Sequence, residues 1–153
     1  LKKVLLISMI VVMGLTTTAQ AAHGSVGLGV QLGVPTGLTG KFWIDRTSAI
    51  DVTMGWNVYS DWVVIQAGYL YHFPLQMRQR GSLFAYIGAG GKMDVWDSGP
   101  NSDGGFRLAG RIPLGMEFIF DPISFYAELD PLIYLLPGTD LEIGGGLGFR
   151  FYF

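Results

Sequence analysis

Eight stretches of this chain alternate apolar and non-apolar residues with a period of two, and no charged residue falls on the apolar side of any of them. Period two is the period of a β-strand, whose successive side chains point to opposite faces. The closing stretch, 143–153, shows the pattern well. Ile143, Gly145, Leu147, Phe149, Phe151 and Phe153 share one side, and Gly144, Gly146, Gly148, Arg150 and Tyr152 share the other. A sheet built from such strands has one wholly uncharged face, and that face must meet something other than water.

The stretches run over 24–34, 38–44, 49–58, 62–73, 83–96, 106–120, 124–134 and 143–153. Turn residues separate them, among them Pro35-Thr36-Gly37, Asp121-Pro122 and Pro137-Gly138-Thr139-Asp140. Residues 74–82 read as a basic turn carrying Arg78 and Arg80, and 97–105 as the longest loop. The second face carries Lys41, Lys92, Arg107, Arg111 and Arg150 against Asp51, Asp94, Glu117, Glu128 and Asp130, five of each sign. Strand-end Asp45 and Glu142 are expected to point the same way. Pro113 and Pro131 fall inside strands, where a missing N–H predicts a bulge or a strand end at each.

Alternation alone does not say which face points inward. A soluble lipocalin-type barrel would line its cavity with the apolar side and hold its charges in water. Charged residues make up only 14% of this chain, against roughly 25% in soluble domains. Few charges are left for a soluble surface once the strand positions are counted. The 23 glycines, many on the mixed face, suit a crowded interior. Trp56, Tyr69, Tyr71, Phe73, Phe118, Phe120 and Phe125 sit toward strand ends on the apolar side, as interfacial girdles do. An even number of strands of about ten residues also fits a tilted membrane crossing. The expected fold is therefore all-β, an eight-stranded antiparallel up-and-down transmembrane β-barrel. A barrel of that size is filled by its own side chains. The ten mixed-face charges must then pair with one another, because a buried unpaired charge is costly. Arg150 is expected to meet Glu128 or Asp130.

The first 21 residues read as a secretory signal peptide: Lys2 and Lys3, an apolar run over 4–15, then Ala19-Gln20-Ala21 as a small-x-small site. The barrel domain is then 22–153. Export of such a chain leads to the outer membrane. With both termini periplasmic, connections 45–48, 74–82 and 121–123 face the periplasm.

Motifs for chemistry are weak. With no cysteine, neither a disulfide framework nor an ordinary zinc cluster is available. The net charge of −2 gives no nucleic-acid partner. The glycines of 27–33 place the third one residue late for a dinucleotide fingerprint, and Gly90-Gly91-Lys92 lacks the rest of a phosphate loop. No cofactor, metal or catalytic residue is expected. His72 falls on the lumen face without a serine two positions away in the same phase. It reads as a hydrogen-bonding histidine rather than a catalytic base. Glu128 with Asp130, or Glu117, could form an acid pair, but the nearby arginines favour salt bridges.

Residues 33–43 (Gly-Val-Pro-Thr-Gly-Leu-Thr-Gly-Lys-Phe-Trp), 110–115 (Gly-Arg-Ile-Pro-Leu-Gly) and 125–131 (Phe-Tyr-Ala-Glu-Leu-Asp-Pro) resemble a family of small bacterial outer-membrane barrels of unknown function. So do 137–140 and 148–153. The resemblance implies an OmpA-like eight-stranded barrel and brings no activity. The leading expectation is a non-enzymatic structural or surface-interaction barrel, with outer-membrane lipid and an unidentified surface ligand as partners. Phe149, Phe151 and Phe153 would be the signal read by the barrel-assembly machinery. A narrow pore or carrier for small apolar molecules, and a membrane-embedded lipid-modifying enzyme, are the alternatives.

Overall fold

The computed structural model describes residues 25–57, 62–96 and 104–153. The stretch that reads as a signal peptide, His23 and most of the 97–105 loop lie outside them. Among the described residues the chain is all strand and turn: β1 (Val26–Val34), β2 (Gly37–Trp43), β3 (Ser48–Asn57), β4 (Trp62–Arg78), β5 (Gly81–Trp96), β6 (Gly105–Arg111), β7 (Leu114–Phe120), β8 (Ile123–Leu136) and β9 (Asp140–Tyr152). Every pairing is antiparallel. β1 pairs with both β2 and β9, so the sheet closes on itself and leaves no open edge. β6 and β7 follow one another along a single path between β5 and β8. The ring therefore has eight positions.

The split between β6 and β7 has a covalent cause. Ile112 N donates to Pro131 O on β8 at 3.0 Å, and Gly88 N on β5 donates to Pro113 O at 2.8 Å. Neither proline has an N–H to return, so each flanking seam loses its reciprocal bond at this level. Pro113 thus ends a strand. Pro131 does not: β8 runs through it unbroken, paired with Ile143, because its missing donor faces the β6/β7 break. The irregularity on the β6–β8 seam lies further up, between Leu108 and Ala109.

A second departure concerns 74–82. The sequence reads there as a basic turn, yet β4 continues to Arg78 and β5 begins at Gly81, leaving Gln79-Arg80 as the tip. Pro74 is accommodated by a register shift: it pairs with Phe84, whereas Gln76 pairs with Leu83, so Leu75 is the extra residue. Asp45 also differs from expectation. It is exposed in the β2–β3 turn, where its Oδ1 accepts the backbone N–H of Thr47 and of Ser48, each at 2.8 Å. The Thr47 bond above all holds its carboxyl below the usual range.

The two faces are inverted relative to a water-soluble domain. Leu28, Val30, Leu32, Leu129, Ile143 and Leu147 are exposed on the outside, whereas Lys41, Asp51, Arg111, Glu117, Asp130 and Arg150 are each 1% exposed or less inside. Girdle aromatics Trp56, Tyr69, Tyr71, Phe73, Phe118, Phe120 and Phe125 are all exposed on the outer face.

The lumen as the candidate functional site

Glycine and tyrosine together fill the lumen. Tyr126 pairs directly across from Gly148, Tyr86 from Gly115 and Tyr152 from Gly27. In each pair the ring lies where a glycine Cβ would be: a Cβ on Gly148 would stand 2.1 Å from Tyr126 Cε1, and one on Gly115 2.3 Å from Tyr86 Cζ. The aromatic ring covers the bare backbone of the neighbouring strand and carries its hydroxyl to the barrel axis. Gly148→Val should therefore destabilise the barrel by about 1–3 kcal/mol through overpacking. Gly110→Ala, where an added Cβ meets nothing within 4 Å, should leave the urea midpoint of refolded protein nearly unchanged.

The charged side chains fall into three tiers. The lower tier, toward the β4–β5 hairpin and the chain end, is centred on Glu117. Its carboxylate pairs with Lys41, accepts Ser124 Oγ at 2.8 Å and Tyr152 OH at 2.9 Å, and stands 3.5 Å from Arg150 Nη1. Lys41 Nζ also donates to His72 Nε2 at 2.7 Å, which makes Nδ1 the donor to Thr47 O at 3.1 Å. His72 is fully buried and both ring nitrogens are engaged. Arg150 lies over the Tyr126 ring, with Cζ 3.7 Å from its centroid, and Nη2 donates to Thr39 Oγ1 at 3.0 Å.

The middle tier is one arginine among three carboxylates. Arg111 meets Asp130 through Nε and Nη2, each at 3.1 Å, a bidentate fork. Its Nη2 also donates to Glu128 Oε1 at 2.8 Å and its Nη1 to Asp51 Oδ2 at 2.9 Å. Tyr86 OH donates to Glu128 Oε2 at 2.8 Å. In the upper tier Asp94 Oδ2 accepts Arg107 Nη2 at 3.1 Å and Tyr134 OH at 2.7 Å. Lys92 Nζ donates to Tyr134 OH at 2.9 Å, and Arg107 Nη1 to Glu142 Oε1 at 3.3 Å.

All ten charges read from the sequence thus sit inside the ring, but their pairing is not one to one. Arg150 meets Glu117 rather than Glu128 or Asp130. It lies across from Ser124, whereas Glu128 and Asp130 lie across from Gly146 and Gly144, further up the barrel, with Tyr126 between. Tyr86, Tyr126, Tyr134, Tyr152, Ser124 and Thr39 belong to the same network, and no motif in the sequence marks them. Their mixed-face phase was visible, but not which glycine each would cover. Among the described residues no group of three or more His, Asp or Glu side chains is placed to hold a metal ion.

A closed antiparallel ring of eight positions, apolar outside and charged inside, defines an outer-membrane-type β-barrel. No protein-family model matches the chain, and no curated protein matches it by sequence. A solved structure does match: the N-terminal β-barrel domain of Pseudomonas aeruginosa OprF, with a TM-score of 0.63 over 86% of this chain and 100% of that one. Identity is 17%, so the likeness is one of fold. In fold, the OmpA-like barrel expected from the motifs holds.

Proposed function

We propose that this chain is an integral outer-membrane barrel with a structural or surface-interaction role and no enzymatic activity. The observation that carries this is the inversion itself: a continuous uncharged outer face around a lumen crossed by ion pairs and tyrosines. Arg111 and its three carboxylates stand across the middle of the lumen and act as a plug rather than a conduction path. Two measurements test the reading. Refolded protein should run faster unboiled than boiled on a denaturing gel, and liposomes carrying it should swell in small solutes no faster than empty ones. No mobility shift, together with solubility in the absence of detergent, would overturn the membrane assignment. Solute-dependent swelling would instead favour a pore.

Assembly is proposed to use the closing strand. Phe151 and Phe153 are exposed on the outer face, and Phe153 N donates to Val26 O at 2.9 Å, at the seam where the ring closes. Deleting Phe153 removes one backbone bond, worth about 1 kcal/mol. Stability after refolding in vitro should fall little, while the amount assembled in cells should fall several-fold. Equal losses in both assays would remove the recognition role.

A further inference from the structure

Beyond residue 21, the cations that take no part in the lumen network are Arg46, Arg78 and Arg80. All three lie at the lower end and are exposed, Arg46 in the β2–β3 turn and the other two at the tip of the β4–β5 hairpin. Among the described residues none of them stands within ion-pair distance of a carboxylate. The acids of the lower connections are Asp45 and Asp121. The upper connections carry Asp61, Asp97 and Asp103 with no lysine or arginine. The two ends of the barrel therefore differ in sign.

Arg78 reaches the outer wall through a bulge. Down to Pro74 the even-numbered residues of β4 face the lumen: His72 is fully buried, and Pro74 lies across from buried Phe84. The extra residue, Leu75, reverses that phase. Gln76 lies across from Leu83, which in turn lies across from Phe118 on β7, and Arg78 lies across from Gly81. Directly paired residues share a face, and Phe118 is exposed on the outer wall. A Cβ on Gly81 would stand 2.6 Å from Phe118 Cζ, so Gly81, and with it Arg78, belongs to that wall. Without the bulge Arg78 would be in lumen phase.

An arginine on the outer wall, just below the girdle aromatics Phe73 and Phe118, stands at the depth of lipid headgroups. Its apolar stem can lie along the wall while its guanidinium pairs with a phosphate. Arg80 at the hairpin tip and Arg46 in the β2–β3 turn add positive charge at the same end. We propose that the lower rim binds the phosphodiester headgroups of anionic phospholipids through Arg78, Arg80 and Arg46. The proposal rests on the membrane reading above and adds a lipid class to it. An acidic protein segment would also suit the charge of Arg46 and Arg80, but it gives no reason for an arginine turned onto the lipid-facing wall.

The test uses the barrel refolded into phosphatidylcholine vesicles, whose two leaflets are alike, so the direction of insertion is immaterial. Trace spin-labelled phosphatidylglycerol or phosphatidylcholine is added, and the motionally restricted fraction of each is read by electron paramagnetic resonance. Phosphatidylglycerol should be preferred about five-fold, the factor contributed by one arginine near a charged surface. Raising the salt to about 0.5 M should reduce the preference. Arg46→Gln, Arg78→Gln and Arg80→Gln together should bring the ratio to about one, with Arg78→Gln the largest single loss. Deleting Leu75 leaves the charge unchanged but returns Arg78 to lumen phase, and should match Arg78→Gln. Gel mobility verifies that each protein is folded. Should the deletion fail to fold, Arg78→Gln and the triple variant carry the comparison. A ratio of about one for folded wild-type protein overturns the proposal, and so does a preference that survives the triple change. Saturable binding of a soluble glutamate-rich peptide without any lipid preference also overturns it, and gives the rim to an acidic protein segment. Loss of the wild-type mobility shift sinks the membrane-barrel reading instead.

Discussion

Arg111→Met should destabilise the barrel by about 3–5 kcal/mol, the usual result of removing one partner from a buried ion pair. Its guanidinium is the shared partner of Asp51, Glu128 and Asp130, which are all buried and bond to it at 2.8–3.1 Å. Without it three carboxylates face one another across a narrow lumen, and among the described residues only the Tyr86 side chain continues to donate to one of them. Urea unfolding of barrel refolded into phospholipid vesicles, followed by tryptophan fluorescence, measures the loss. The cause is separable from lost packing. Adding Asp51→Asn, Glu128→Gln and Asp130→Asn to Arg111→Met should recover most of the stability, because the uncompensated charge is then gone. Glu128→Gln alone should cost less than Arg111→Met, since Arg111 keeps its fork on Asp130. Arg107 gives the contrast within the same lumen. Its side chain is 26% exposed at the mouth, Asp94 keeps Tyr134 and Lys92 when it is removed, and Arg107→Met should cost about 1 kcal/mol or less. Equal losses at Arg111 and Arg107 would mean that the central tier is wetter than its burial implies.

This difference between the tiers could not be read from the sequence, although the residues could. Period two assigns each side chain to a face without knowledge of its neighbours. That is why Arg111, Glu117 and Asp130 were placed in the lumen and Leu147 and Phe151 outside it. Height within the barrel and reach across it depend on register, which turn lengths and proline positions set. Lys41 illustrates the point: it lies directly across from Asp51, yet its amine pairs with Glu117 on the far wall. Tyr126 resting on Gly148 needs the β8–β9 register in the same way. The proline misreadings share a cause. Pro74 looked like a strand stop, but one extra residue in β4 absorbs it. Pro131 reads as a bulge or a strand end, but the β6/β7 break lies where its missing hydrogen bond would have been.

Placing arginine along the outer face of β9 should give a penalty that depends on depth. Leu147, Ile143 and Leu141 all point outward and are 66%, 77% and 74% exposed. Leu147 flanks Gly146, the residue across from Glu128 in the middle tier, whereas Leu141 lies across from Ile133 near the upper rim. Their separation of six positions spans about 20 Å along a strand. In a bilayer Leu147→Arg should cost about 2–4 kcal/mol, and the cost should fall to about 0–1 kcal/mol at Leu141, with Ile143→Arg between. A soluble barrel would show no such gradient, because an exposed leucine replaced by arginine in water changes stability by about 0.5 kcal/mol or less wherever it sits. The three sites are similarly exposed and share one strand, so burial and local propensity cannot produce the slope. Only the depth of a hydrocarbon layer against the outer wall distinguishes them. Urea midpoints of the three variants in vesicles, set against the same variants in detergent micelles, would measure that layer directly. A flat series in vesicles would leave the uncharged face of all eight ring positions without its solvent.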